Sequence, residues 1–255
     1  MTTIKQAMIM AAGLGTRLRP ITNHIPKPMI QIAHKTFIQR ILEQLYRNNI
    51  ISVVINLHHK ADLLKDYVNS LEVAQRLNII FSYEAELLEA GGIVKVLHYF
   101  AEKPFYVINS DMLWIDNDNE PSVLESLSNN FDNDKMDSLL LLQQTKRIPY
   151  YQGRGDLHLA EGGSVYRADK AYDHPYVFCG IQIMSPNLLK GLEVKNFKLF
   201  KDFIFKAKKA DDGKLDRIYG IETSHFWLHI STEEELNLVR RYLQNKEMTF
   251  LKNVV

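Results

Sequence analysis

The chain has 255 residues, 46% hydrophobic and 24% charged, with 31 Lys and Arg against 30 Asp and Glu. That length suits one α/β domain, alone or with a small appendage, and the composition supports a full core. The near-zero net charge excludes bulk binding to nucleic acid or membrane surfaces as the expected role.

Residues 4–12 read as a short buried strand punctuated by Gly13. TFIQRILEQLYRNN places Phe37, Ile38, Ile41, Leu42, Leu45 and Tyr46 at helical spacing and ends in asparagines. ISVVINL is β-branched and strand-like, residues 60–71 read as a helix, and NIIFSYE as a strand. GGIVKVLHYFA opens a third helix, and PFYVINSD is a fourth strand ending on Asp111. This alternation predicts an α/β fold: a Rossmann-like, mostly parallel sheet with helices on both faces. After Asp111 the pattern loosens. A polar stretch holds one helix, SLLLLQQT is a strand, and the Gly- and Tyr-rich residues 150–175 suggest a hairpin and lid. YVFCGIQIM and HFWLHI are late strands, and STEEELNLVRRYLQ begins with a capping box of Ser231 and Glu234. The second half therefore adds a small β-rich layer that covers substrate.

Cys179, the single cysteine, cannot form an internal disulfide and reads as a buried structural thiol. No stretch approaches the roughly 20 apolar residues of a membrane span. The opening run carries Lys5 and Gln6 and is too short for a signal peptide, so the cytoplasm is the expected compartment.

The chemistry concentrates in AAGLGTRLRPITNHIPKPMI. Ligands of open α/β sheets collect at the carboxyl ends of strands, where this loop lies. Gly13 and Gly15 can take positive φ and let backbone N–H groups approach an anion. Thr16 adds a hydroxyl, Arg17 a guanidinium suited to phosphate, and Lys27 is braced between Pro26 and Pro28. No Gly-Lys-Ser/Thr follows, so this is not a Walker loop. No third glycine opens a helix, which disfavours a dinucleotide-binding oxidoreductase.

The segment resembles the signature loop of sugar-phosphate nucleotidyltransferases, G-x-G-T-R-(L/M)-x-P-x-T-x-x-x-P-K-P, with Gly13, Gly15, Thr16, Arg17, Pro20, Thr22, Pro26, Lys27 and Pro28 all present. The resemblance extends in order over nearly the whole chain. It implies a single nucleotidyltransferase domain of GT-A-like fold over residues 1–255, with 1–111 the nucleotide-binding half and 112–255 the sugar-phosphate-binding half. Ala11, Ala12, Gly13, Gly15, Thr16, Arg17 and Lys27 would hold the nucleotide. Asp111 would bind Mg²⁺ beside the α-phosphate, and Asn109 would reach the sugar. EAELLEAGGIVKVL resembles the family's base-reading loop, L-x-T-(A/G)-G-(A/G)-(I/L), which brings Glu84 and Gly91 to the base. Glu89 stands where an ungapped alignment puts the pattern's Thr.

GRGDLHL resembles the subgroup acting on N-acetylmuramic acid 1-phosphate and makes Asp156 a sugar ligand. The usual Glu-Lys-Pro motif is missing, and Lys170 is the nearest candidate for its lysine. In HFWLHIST, His229 stands where family members commonly carry Asp as the second metal ligand, and Ser231 where Gly would be. His229 then joins Asp111 as a metal residue for a softer ion such as Mn²⁺, or touches a phosphate as a donor, or leaves Mg²⁺ to Asp111, phosphates and water, or is a satisfied non-catalytic residue. His58 and His59 read as solvent-facing loop residues.

The resemblance implies UTP and N-acetylmuramate 1-phosphate as substrates, giving UDP-N-acetylmuramate and pyrophosphate in peptidoglycan recycling. Mannose 1-phosphate with GTP, glucose 1-phosphate with a pyrimidine nucleotide, and phosphocholine with CTP are the alternatives, beside a non-catalytic nucleotide-sugar-binding paralogue. The chain stops soon after its last helix, so the β-helix acyltransferase domain of some bifunctional relatives is not expected.

Overall fold

The computed structural model describes residues 4–149, 151–167, 173–207 and 214–244. Strand β1 (Gln6–Met10) turns Ala7 and Ile9 to one face of the sheet and Met8 to the other, and all three are buried. Both faces are therefore covered, the usual condition for a parallel sheet. A short hairpin of β2 (Gln31–Ile32) and β3 (Lys35–Thr36) leads into α1 (Phe37–Arg47), where the Thr36 hydroxyl accepts from the Gln39 N–H at 3.2 Å. Helix α1 buries the predicted stripe of Phe37, Ile38, Ile41, Leu42 and Leu45 and leaves Tyr46 exposed.

Strand β4 (Ser52–Leu57), α2 (Ala61–Ser70), β5 (Asn78–Tyr83), α3 (Gly91–Val96) and β6 (Phe105–Asn109) complete the predicted alternation. Helix α3 is shorter than expected. After Val96 the chain tightens into a 3₁₀ turn, Leu97–Phe100, which lays the Phe100 ring on Phe105 at 3.7 Å. Helices α1 and α2 pack on one face of the sheet and α3 on the other.

The second half contains β7 (Met112–Ile115), α4 (Val123–Asn130), β8 (Ser138–Gln144), β9 (His158–Leu159), β10 (Ser164–Tyr166) and β11 (Tyr176–Met184). A π-helical segment, Leu199–Ile204, then runs into α5 (Phe205–Ala207), followed by β12 (Lys214–Glu222), β13 (Phe226–His229) and α6 (Glu233–Gln244). The main sheet has nine strands in the order β5-β4-β1-β6-β11-β8-β12-β10-β9. Its first four strands are parallel, β11 reverses direction against both β6 and β8, and β12 returns parallel to β8.

Three features differ from the sequence expectation. Strands β7 and β12 were not predicted: β7 follows Asp111 with almost no turn, and the charges of KLDRIYGIE hide its period. HFWLHI is a strand but not of the main sheet. Strand β13 pairs antiparallel with β7 in a separate ribbon, His229 opposite Met112. The capping box of α6 sits one residue later than expected. Thr232 Oγ1 accepts from the Glu235 N–H at 3.2 Å, and Glu235 Oε2 accepts from the Thr232 N–H at 3.0 Å. Glu235, not Glu234, stands three residues after the cap and can close the ring.

Cys179 is buried, as expected, and burial pushes its thiol well above the ordinary range. Among the described residues no helix is long and apolar enough to cross a membrane.

Candidate active site

Parallel pairing of β1 with β6 brings their carboxyl ends together, Met10 opposite Asn109. The Ser110 hydroxyl fastens them further, donating to the Met10 carbonyl at 2.7 Å. The glycine loop leaves β1 and Asp111 leaves β6, neighbouring strands from which the chain runs on to opposite sides of the sheet. Such a switch point is where α/β sheets open a crevice for ligands.

Only Gly15 of the two loop glycines takes positive φ, at 63°. Gly13 does not, so the expectation of a left-handed turn there is corrected; space above its Cα is open, and the residue is exposed. A Cβ on Gly15 would lie 2.8 Å from Thr22 Cγ2. The buried Thr22 explains its own place in the motif: its hydroxyl donates to the Gly15 carbonyl at 2.8 Å. His59 in turn donates from Nε2 to the Thr22 carbonyl at 3.0 Å. His58 Nδ1 donates to the Glu84 carbonyl at 2.9 Å. Both histidines are half-buried struts between loops, not the solvent-facing residues expected.

A second chain of bonds joins the glycine loop to the segment before α3. Asn56 accepts from the Ala11 N–H at 2.6 Å and donates to Glu84 Oε1 at 2.8 Å. Glu84 Oε2 accepts from the Leu88 N–H at 3.0 Å. Glu84 is buried and its carboxylate is occupied, so it holds the loop rather than offering a free acceptor. Asn56 was missed in the sequence. Its signal was a lone amide in the apolar run SVVINL, since a buried polar group needs a partner. Gly91 has a packing reason of its own. Its missing Cβ makes room for the Lys195 carbonyl, 1.9 Å from where that atom would stand.

Ala11 and Ala12 are buried, whereas Thr16 and Arg17 lie exposed on the 3₁₀ turn Thr16–Leu18. Arg17 makes no ion pair among the described residues. Lys27 is buried, and its Nζ lies 2.7 Å from Asp111 Oδ2. His229 Nε2 donates to the same oxygen at 3.2 Å, while Asp111 Oδ1 is buried without a partner. Burial alone would raise the Asp111 carboxyl, but the hydrogen bond and charge of His229, joined by those of Lys27, hold it well below the usual range. Asp111 therefore carries its negative charge throughout the range in which such proteins work.

A cavity of about 730 Å³ opens beside this triad, reached by Asn109, Asp156, Gly180 and His229. Asn109 packs over Gly180, whose φ is 72° and whose Cβ would lie 2.8 Å from the amide nitrogen. The Trp227 indole donates to the Cys179 carbonyl at 2.9 Å, which ties the β13 ribbon to the main sheet. On the opposite wall the GRGD turn is fastened down. Gly155, φ 68°, donates its N–H to the Tyr151 hydroxyl at 3.0 Å, and Asp156 Oδ2 accepts from the Phe178 N–H at 3.0 Å. Lys170 lies outside the described residues.

Under that turn, His174 is 5% exposed and its Nδ1 has no partner; its ring meets His158 edge-on at 4.9 Å. Burial, then the charges of His158 and Arg167, hold His174 below its ordinary value of 6.5, with Asp156 opposing. A lowered histidine contributes stability in full above the unfolded value, which is lost as pH falls through the lower folded value. Residues 153–157 are thus expected to exchange amide hydrogens faster at about pH 5 than at about pH 7.5, after correction for intrinsic rates. Equal protection would remove His174 as the cause.

Residues 6–144 match the family described as Nucleotidyl transferase. N-acetylmuramate alpha-1-phosphate uridylyltransferase of Caulobacter vibrioides is 30% identical over 230 residues, covering 89% of this chain and 91% of that protein. The chain belongs to the nucleotidyl transferase family. It is thereby an enzyme of nucleotidyl transfer, built on the signature loop described above. Mannose-1-phosphate guanyltransferase of Hypocrea jecorina is 24% identical over 90% of this chain, which spans 62% of that protein's length. Among solved structures, HddC from Yersinia pseudotuberculosis has a TM-score of 0.74 at 22% identity, over 94% of this chain and 100% of that one. UDP-glucose pyrophosphorylase complexed with UDP-glucose has a TM-score of 0.70 at 20% identity, over 96% of this chain and 100% of that one. These two likenesses bear out the mixed, largely parallel nucleotidyltransferase fold.

Proposed function

We propose that this cytoplasmic enzyme, one nucleotidyltransferase domain, joins a nucleoside triphosphate to a sugar 1-phosphate and releases pyrophosphate. UTP and N-acetylmuramate 1-phosphate are its favoured pair. The observation that carries the reaction class is Lys27 Nζ at 2.7 Å from Asp111 Oδ2, beneath the Gly15 turn and beside an open cavity. The Caulobacter vibrioides relative and the GRGD turn support the substrate pair, in which case the product serves cell-wall sugar salvage.

An oxygen of the acceptor phosphate attacks the α-phosphorus. That P–O bond forms as the bond to the β-phosphate oxygen breaks in line, and pyrophosphate carries off the electron pair. Catalysis then consists of alignment and neutralisation of charge. Exposed Arg17 and the open N–H edge at Gly13 and Thr16 take the β- and γ-phosphates. Lys27 lies between the α-phosphate and the incoming phosphate, and Asn109 and Asp156 hold the sugar.

Among the described residues no group of three or more His, Cys, Asp or Glu gathers to cage a metal ion. An ion such as Mg²⁺ is commonly held by one or two carboxylates with phosphates and water, and Asp111, charged and with an unpartnered Oδ1, fits that manner. When bound there, the ion supplies charge neutralisation at the α-phosphate.

The test is a pyrophosphate-release panel of four nucleoside triphosphates against N-acetylmuramate, N-acetylglucosamine, glucose and mannose 1-phosphates. The expected result is release with UTP and N-acetylmuramate 1-phosphate above every other pair. GTP with mannose 1-phosphate is the second reading, favoured by the Hypocrea jecorina relative. Nucleotide binding without release from any pair would leave a binding paralogue.

A further inference from the structure

We propose that His229 is itself a ligand to the divalent ion at Asp111, and that the pair makes the site select first-row transition ions over Mg²⁺. This rests on the nucleotidyl-transfer reading above and deepens it. The imidazole is placed by a strand rather than a loop, because His229 is held opposite Met112 in the β13–β7 ribbon, one residue past Asp111. Its Nε2 stands 3.2 Å from Asp111 Oδ2. Two donors bound at about 2.1 Å at right angles on one ion stand about 3 Å apart. The carboxylate and imidazole therefore already form one edge of a coordination shell.

Two neighbouring acids are engaged elsewhere, and a third, Glu234, lies exposed on the cavity wall. Glu235 accepts three bonds at the start of α6, from the Ser231 N–H, the Ser231 hydroxyl and the Thr232 N–H. Asp156 accepts from Phe178. The remaining positions of the shell thus fall to phosphate oxygens and water. Lys27 Nζ stands 2.7 Å from Oδ2, and with nucleotide and ion bound its charge would turn to the phosphates. As a ligand the imidazole would bind through Nε2, with its ring proton on Nδ1. The chemistry of such a set decides its preference. Mg²⁺ demands oxygen donors in a near-ideal octahedron, whereas imidazole favours first-row transition ions.

The full chain is mixed with UTP and Mn²⁺, without acceptor, and pulsed electron paramagnetic resonance records nitrogen coupling to the manganese. The expected spectrum shows a directly bound imidazole nitrogen, which changes on ¹⁵N-histidine labelling and vanishes in His229→Asp. In pyrophosphate release, the rate ratio of Mg²⁺ to Mn²⁺ should rise about tenfold or more in His229→Asp. Manganese bound with nucleotide but without nitrogen coupling overturns the proposal, and makes His229 a phosphate donor or a bystander. An unchanged metal ratio in a folded His229→Asp protein overturns the claim of selectivity. Failure of every triphosphate to bind sinks the nucleotidyl-transfer reading itself, and the metal proposal with it. The wild-type spectrum stands alone should the variant not fold.

Discussion

Lys27→Ala is expected to lower turnover about a thousandfold while leaving the fold intact. Lys27 is a buried cation beside the cavity, braced by Pro26 and Pro28 and paired with Asp111. With nucleotide present, its charge would face oxygens whose negative charge grows as the α-phosphorus is attacked. That interaction is stronger in the transition state than in the ground state, so kcat should fall more than KM rises. The stability cost is smaller, about 2 kcal/mol, because the pair is largely buried but Asp111 keeps His229 as a donor. Steady-state kinetics beside thermal unfolding would separate the two effects. Turnover within about tenfold of wild type, in a protein that unfolds at the normal temperature, would refute the catalytic role.

Gly91→Ala should produce the larger structural loss. The added Cβ would lie 1.9 Å from the Lys195 carbonyl oxygen and 2.8 Å from its carbon, and both are backbone atoms that no rotamer change can remove. The segment before α3 and residues 195–197 must then part, which breaks the bond from the Ala90 N–H to the Phe197 carbonyl at 3.0 Å. A cost of about 3 kcal/mol follows from overpacking plus the lost bond. For a chain of this size that lowers the melting temperature by about 10 °C. The Leu88 N–H held by Glu84 lies on the same loop, so KM for the triphosphate should rise while the acceptor KM stays near its normal value. An unaltered melting temperature would show that the two segments do not depend on each other.

Much of this architecture is legible in the residue order. A parallel strand buried on both faces reads as an apolar run, so β1, β4 and β6 are visible, and α1 announces itself by its 3.6-residue stripe. The glycine loop is visible because its demands are local: a glycine where φ is positive, and a lysine fixed by flanking prolines. Strand β12 is hidden because the charges of KLDRIYGIE mask its period, and β7 because it continues almost directly from β6. The capping box is misplaced by one residue because Ser231 and Thr232 both offer a hydroxyl, and only the trajectory of the chain selects Thr232.

What the sequence determined by itself is the class of chemistry, since the motif that carries the family likeness is strung along one short loop whose backbone rules are local. The tertiary structure alone decided how those groups are connected. Asn56 to Glu84, Thr22 to His59 and Asp111 to His229 join residues 28, 37 and 118 positions apart. No local preference encodes such pairs; they form only because parallel strands end side by side and a distant ribbon folds over that edge, where buried polar groups must find one another.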